Sequence, residues 1–278
     1  MKTIGVFDSG FGGLTVLREL LPLIPDARYV YLGDTARLPY GSKSRETIAR
    51  YAVSSARFLA EQGAELLVIA CNTATALALD DIREALPNIP VVGVVRPGAE
   101  SALAAVQSKG NTSASRVLVL ATAATTQSGA YTRTLQSLGL RATEKACPLL
   151  VPLVEEGWID PSPHASVTLD VLRIYLLEAL EQAPDANVLL LGCTHYPLLK
   201  PLIETTLGTL HHPMKVIDSA EATARAVAAL LPAQEGAAIN AAPECIFYAT
   251  DSIEKFQRLG SAFLRQPLPA VHLVDLGG

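Results

Sequence analysis

Residues 66–71, LLVIAC, and residues 188–193, VLLLGC, decide the fold. Each is an apolar run that closes on a small residue and then a cysteine; NT follows the first and TH the second. Short, continuous aliphatic runs read as strands buried on both faces, the kind that parallel sheets use. The recurrence of one plan within a single chain reads as two half-related α/β domains. Ligands of open α/β sheets gather beyond the strand C-termini, so both cysteines are expected at such rims.

The same kind of strand recurs outward from these two: TIGVF (3–7), YVYL (29–32), ELLVIA (65–70), PVVGV (90–94), RVLVLA (116–121), NVLLLG (187–192), KVI (215–217), CIFYA (245–249) and AVHLV (270–274). Longer amphipathic segments intervene, among them SRETIARYAVSSARFLAEQG (44–63) and VTLDVLRIYLLEALEQ (167–182). The alternation predicts an α/β fold with mostly parallel sheets and flanking helices. Crossings between domains are expected in 91–102 and near 211–220. This gives a discontinuous first domain, 1–96 plus 211–278, and a second domain, 97–210. An Ala- and Gly-rich loop is expected around 232–243.

Half of the 278 residues are hydrophobic, enough for substantial cores, and Lys plus Arg number 22 against 27 Asp plus Glu, a formal net charge of -5. No basic block speaks for nucleic acid as a partner. Gly, Pro or charge interrupts every apolar stretch before it reaches membrane-spanning length, and MKTIGVFDSG does not read as a signal peptide. A cytoplasmic protein without a membrane role is therefore expected. The cysteines, at 71, 147, 193 and 245, form no CxxC pair, which speaks against a disulfide scaffold or a structural zinc site.

Chemistry concentrates at strand ends. FDSGFGG (7–13) runs from the first strand into a glycine turn with amides suited to an anion. It is not a dinucleotide fingerprint, because Thr15 stands where the last Gly is required. A tight turn capped by Asp8 or Ser9 is the plain structural reading. DTARLPYGSKS (34–44) is a loop whose Tyr40, flanked by Pro39 and Gly41, offers a hydroxyl and amides to a carboxylate or else covers a core edge. Cys71 precedes Asn72 and Thr73 at a helix start, where the N-terminus would lower the thiol pKa; a buried cysteine is otherwise a small core hydrophobe. Cys193 reads as core thiol, metal ligand beside His195, or nucleophile paired with His195. Metal binding lacks two further nearby ligands, and a Cys–His nucleophile leaves the matching Cys71 without a reason. Two opposed thiols suggest another reaction: one thiolate removes a proton from a carbon while the other thiol delivers one to the opposite face, with no cofactor. Glu155, after the apolar PLLVPLV, reads either as a carboxylate turned toward a histidine or as part of a solvated acidic pair. In LATAATTQS (120–128) the hydroxyls, Thr122 and Thr125 among them, cap the next helix or meet a ligand carboxylate. Cys147 and Cys245 are expected to pack, and Trp158 to cover an apolar edge.

Taken in order, DSGFGGLTV, LPYG, IACNTATA, CPLLVPLVEEG, LLGCTHYPLL and IDSA resemble the glutamate racemase family of the cofactor-independent aspartate/glutamate racemases, over nearly the whole chain. The resemblance implies two pseudo-symmetric domains with the active site at their interface, commonly a homodimer, and interconversion of L- and D-glutamate for peptidoglycan without metal or cofactor. It implies Cys71 as the base for D-glutamate with Asp8 as partner, and Cys193 as the base for L-glutamate with His195, oriented by Glu155. Ser9, Asn72, Thr73 and Thr194 are implied at the amino and α-carboxylate end. Tyr40 and Gly41, with Pro39 beside them, are implied at the side-chain carboxylate, and Thr122 and Thr125 as further hydroxyl contacts. The chain departs from the family where ATAAT (121–125) puts Ala121 and Ala124 in place of glycines. Aspartate racemisation, or a sensor that binds a dicarboxylate without turning it over, are the alternative functions.

Overall fold

The computed structural model describes residues 2–108, 115–159, 161–231 and 243–277. The chain divides into two units, Met1–Val94 with Ala220–Gly278, and Val95–Ser219.

In the first unit β1 (Thr3–Asp8) leads into α1 (Leu14–Leu23), followed by β2 (Arg28–Gly33), α2 (Arg45–Glu61), β3 (Leu66–Ile69), α3 (Asn72–Ala85) and β4 (Val91–Gly93). The second unit runs α4 (Val95–Ser108), β5 (Arg116–Ala121), α5 (Ala123–Ser128), α6 (Ala130–Ser137), β6 (Arg141–Ala146), α7 (Leu150–Glu155), α8 (Ala165–Gln182), β7 (Ala186–Gly192), α9 (Lys200–Thr209) and β8 (Lys215–Asp218). After α10 (Ser219–Ala229), β9 (Cys245–Ala249), α11 (Ile253–Leu264) and β10 (Val271–Leu273) belong to the first unit.

Both sheets are parallel, as the aliphatic runs require: β10-β9-β2-β1-β3-β4 in the first unit and β6-β5-β7-β8 in the second. The order β2-β1-β3-β4 is repeated as β6-β5-β7-β8, so β3, which precedes Cys71, and β7, which precedes Cys193, hold equivalent places. In each unit the chain passes from one neighbour of the first strand to the other, which makes the C-terminal rim of β1 and β3, and of β5 and β7, a topological switch point.

Alternation along the strands builds the layers. Val30 and Leu32 join the core under α2 and α3, together with Phe7, Ile48, Leu59 and Ile82. Tyr29 and Tyr31 point the other way: the Tyr29 hydroxyl donates to the carbonyls of Leu20 and Ile24 at the end of α1, and Tyr31 packs on Phe256 of α11. Ser44 caps α2 by accepting from the Thr47 amide, and Ile48, Ala52, Ser55, Ala56 and Leu59 form its buried stripe.

Two features differ from the sequence expectation. The strand RATEKA (141–146) was not expected, because its side chains are charged or small and none is fully buried; it is an edge strand paired on one side, with β5. The return to the first unit falls after Ser219, not at 211, because β8 pairs with β7 and so holds 215–218 in the second sheet. Residues 232–242 of the expected Ala- and Gly-rich loop lie outside the described residues.

Candidate active site

In the first unit the side chains singled out by sequence gather at the C-terminal rim of β1, β2 and β3. Asp8 is the last residue of β1 and is fully buried. Its Oδ2 accepts from the Gly10 amide at 2.9 Å, which folds the glycine turn back over the strand end. Gly13 is required there: a Cβ at this position would lie 2.5 Å from Asp8 Cβ and 2.9 Å from Ala70 Cβ.

Cys71 follows β3 and is the N-cap of α3, its sulfur accepting from the Ala74 amide at 3.4 Å. Its thiol donates to Ser9 Oγ at 3.4 Å, joining the ends of β1 and β3. Burial pushes the thiol up to about 11 and the Asp8 carboxylate pushes it the same way, against hydrogen bonds from Ser9 and Ala74. This overturns the expectation that the helix N-terminus would lower it: loss of water and a like charge outweigh the amide dipoles. Asn72 and Thr73 are buried in the first turn of α3.

Pro39, Tyr40 and Gly41 sit in the loop after β2, with a cis Leu38–Pro39 bond. Pro39 is exposed and Gly41 half-buried, whereas Tyr40 is buried. The Tyr40 hydroxyl was expected to be available to a carboxylate; it donates instead to Asp34 Oδ2. Sequence reading missed Asp34, which is fully buried and also receives Arg37 Nε at 2.8 Å and Thr250 Oγ1 at 3.0 Å. The signal was its place immediately after β2, the same strand-end position that drew attention to Cys193 after β7. Thr75 was missed as well: its hydroxyl donates to the Ile69 carbonyl and accepts from the Val94 amide, tying α3 to the ends of β3 and β4.

In the second unit Cys193, Thr194 and His195 follow β7 in sequence, and all three are buried. His195 Nε2 lies 3.3 Å from Glu155 Oε1 at the end of α7, a pair buried enough to fix the imidazole's orientation. Tyr196 secures the turn by donating to the Cys147 carbonyl at 2.9 Å. At the end of β5, Thr122 caps α5 by accepting from the Thr125 amide, and the two hydroxyls are 3.0 Å apart. Ala121 packs against Gly192, where a Cβ would lie 3.1 Å from Ala121 Cβ and 2.9 Å from Tyr131.

Cys147 is buried, its thiol directed at the Lys145 carbonyl, and burial pushes it up to about 12. Cys245 is half-buried at the start of β9. Trp158 packs against His164 with the rings tilted by 41° and their centroids 5.1 Å apart. Among the described residues no group of three His, Cys, Asp or Glu side chains is placed to hold a metal ion, and no helix is long and apolar enough to cross a membrane.

The model of the Asp/Glu/Hydantoin racemase family matches residues 14–227. A glutamate racemase of Koribacter versatilis is 50% identical over 298 aligned residues, which cover 99% of this chain and 98% of that protein. The chain belongs to the glutamate racemase family. Among solved structures of that family, a glutamate racemase isoform from Bacillus anthracis superposes with a TM-score of 0.86 at 35% identity, covering 99% of this chain and 98% of that one. The glutamate racemase of Francisella tularensis, solved in complex with D-glutamate, superposes with a TM-score of 0.84 at 33% identity and the same coverage. Membership in the glutamate racemase family makes the chain a racemase, an isomerase of the group that serves cell-wall synthesis.

Proposed function

We propose that the protein interconverts L- and D-glutamate by a two-thiol, cofactor-independent proton transfer at the α-carbon. The observation that carries this reading is the pair of strand-end thiols, Cys71 after β3 and Cys193 after β7, in units of the same strand order. A proton removed from one face of a carbon and delivered to the other is served by one acid–base group on each side, and a repeated fold supplies one from each half. Glutamate is favoured over aspartate because the relative at 50% identity is a glutamate racemase and the Francisella protein was solved with D-glutamate.

In this reading Cys71 as thiolate takes the α-proton of D-glutamate, the C–H electron pair stays on the α-carbon, and the Cys193 thiol delivers its proton to the opposite face. The reverse direction starts from the Cys193 thiolate. Asp8 partners Cys71, and His195, oriented by Glu155, partners Cys193. A thiol pushed up to about 11 is a proton donor at rest. To act as a base it needs positive charge brought close, and the substrate's own ammonium group supplies it where Asp8 and Cys71 meet. Ser9, Asn72, Thr73 and Thr194 hold the amino and α-carboxylate end. The Pro39–Gly41 loop borders the side-chain carboxylate, with the Tyr40 ring as wall and not as hydroxyl donor. Thr122 and Thr125 add hydroxyls. The product serves peptidoglycan in the cytoplasm, and the working form is a homodimer.

The test is α-proton exchange in deuterated water with each enantiomer of glutamate and of aspartate, without pyridoxal phosphate or added metal. Deuterium entering Cα with inversion on both glutamate enantiomers is expected. Turnover of aspartate alone would reassign the substrate, and binding without exchange would make the protein a sensor.

A further inference from the structure

Thr75 stands one helical turn after Cys71 on α3, and three of its atoms are engaged where that thiol is set. Its amide donates to the Cys71 carbonyl at 2.9 Å. Its hydroxyl donates to the carbonyl of Ile69, the last residue of β3, at 2.9 Å, and accepts from the Val94 amide at 3.4 Å. A threonine inside a helix ordinarily bonds back to a carbonyl of its own helix, three or four residues away. This one reaches back six residues, past the helix start and into the strand. Its methyl lies over Gly93, the last residue of β4, where an added Cβ would come within 2.5 Å of Thr75 Cγ2. Ile69 and Val94 are fully buried, so the hydroxyl meets two backbone groups that are costly to leave unpaired. Val94 is also the last residue of the first unit before the chain passes to the second. The corresponding place after Cys193 is Pro197, which has neither a hydroxyl nor an amide hydrogen. There the turn is held by Tyr196 on the Cys147 carbonyl, so the threonine brace belongs to one thiol only.

We propose that Thr75 is a positioning residue for Cys71: its hydroxyl, held between Ile69 and Val94, fixes the turn that sets the thiol for proton transfer, and its methyl requires a glycine at 93. The inference rests on the reading of Cys71 as one of two bases and adds to it a residue that acts through the backbone. The brace joins the ends of β3 and β4 to the first turn of α3, so the thiol's place depends on all three elements at once. A displacement of about 1 Å at such a group is enough to cost roughly 10²-fold in rate.

Thr75→Val keeps the shape of the side chain and removes the hydroxyl, whereas Thr75→Ser keeps the hydroxyl and removes the methyl. Two measurements on the full chain separate their effects. The pH dependence of alkylation by iodoacetamide at Cys71 and at Cys193, resolved by peptide mass, needs no substrate; glutamate turnover is followed beside it. Burial is the main cause that holds the Cys71 thiol at about 11, and a loosened turn admits water to it. In Thr75→Val the alkylation midpoint of Cys71 is expected to fall by about one pH unit while the profile of Cys193 stays in place. Turnover should fall by roughly 10–10²-fold. Thr75→Ser should stay near the parent in both measurements. Gly93→Ala drives a methyl into Thr75 Cγ2, its other close neighbours being the Leu79 methyls at 3.1 and 3.2 Å at the end of a flexible chain. It should imitate Thr75→Val, and Gly93→Ala with Thr75→Ser should recover, because the opposing methyl is gone. A Cys71 profile unmoved in Thr75→Val, an equal shift at Cys193, or a double variant no better than Gly93→Ala would each overturn the proposal. A thiol profile that shifts as expected in a protein that turns over no glutamate would sink the two-thiol reading and, with it, the part of Thr75 in proton transfer.

Discussion

Cys71 is a thiol that its surroundings hold protonated, and the largest of those influences are separable by substitution. Burial stays in an Asp8→Asn variant, whereas the carboxylate charge that raises the thiol is gone. The Cys71 thiol of that variant is therefore expected to ionise below the value of about 11 in the parent, followed by thiolate absorbance or by the pH dependence of alkylation. Racemisation should nonetheless fall by roughly 10²–10⁴, the usual contribution of a positioned acid–base partner. An unchanged or higher thiol pKa would mean that Asp8 does not act on Cys71 through its charge. Replacing Cys71 or Cys193 by Ser keeps the shape and removes the acid–base group, so each change should nearly abolish exchange of glutamate. Cys147→Ser is the control, since its thiol is directed at the Lys145 carbonyl and it meets the Cys193 turn through its backbone carbonyl, which the change leaves in place. A loss in that control comparable to the other two would show that the reactive thiols have been misassigned.

At the scale of elements, the strand-end turns owe their shape to glycines that admit no substitute, and the contrast between two glycines tests this. Gly13 has Asp8 Cβ and Ala70 Cβ inside contact distance of any added methyl, so Gly13→Ala must displace the Asp8 turn. A loss of about 1–3 kcal/mol in stability is expected from overpacking, with a larger fractional loss of turnover. Gly208, exposed in α9, has nothing within 4 Å, and Gly208→Ala should raise stability by about 0.5–1 kcal/mol through helix propensity alone. Urea midpoints of the two variants moving in the same direction would refute the packing argument. The same scale separates what the sequence discloses from what it hides. Strands buried on both faces, such as LLVIA and VLLLG, announce themselves because every position is apolar. RATEKA does not, since an edge strand needs hydrogen bonds from one neighbour and no hydrophobic run. Cys71, Cys193, Asp8 and Thr122 are legible because each ends or follows an obvious strand. The inward turn of the Tyr40 hydroxyl is not, because it depends on Asp34, Arg37 and Thr250, the last of them just after β9, far away in sequence.

For the molecule as a whole, one strand order used twice places a buried thiol in each half, and buried thiols make alkaline pH a stress on the fold. Cys71, Cys147 and Cys245 are pushed up to about 11, 12 and 11, in each case chiefly by burial, from an ordinary value of 9.0. Well below pH 9 these thiols carry their protons in both folded and unfolded chains and have no effect on the balance. Above it the unfolded chain releases protons that the folded chain retains, so stability declines as pH rises toward the folded values. The buried tyrosines, among them Tyr131 and Tyr196, are raised by burial and act in the same direction above pH 10. The chain has one tryptophan, Trp158, and it lies in the second unit with Cys147. Trp fluorescence therefore reports the unit in which the effect of a single thiol can be isolated. The urea midpoint of that signal is expected to fall between about pH 9 and pH 11, with Cys147 contributing on the order of 2–3 kcal/mol to the loss of stability. In Cys147→Ser the hydroxyl does not titrate over this range, so the decline should be visibly shallower, while the midpoint near neutral pH changes little with pH in either protein. Parallel declines in the two proteins would place the alkaline sensitivity elsewhere, on the tyrosines; a flat midpoint in the parent would mean that the buried thiols ionise as readily in the folded chain as in the unfolded one.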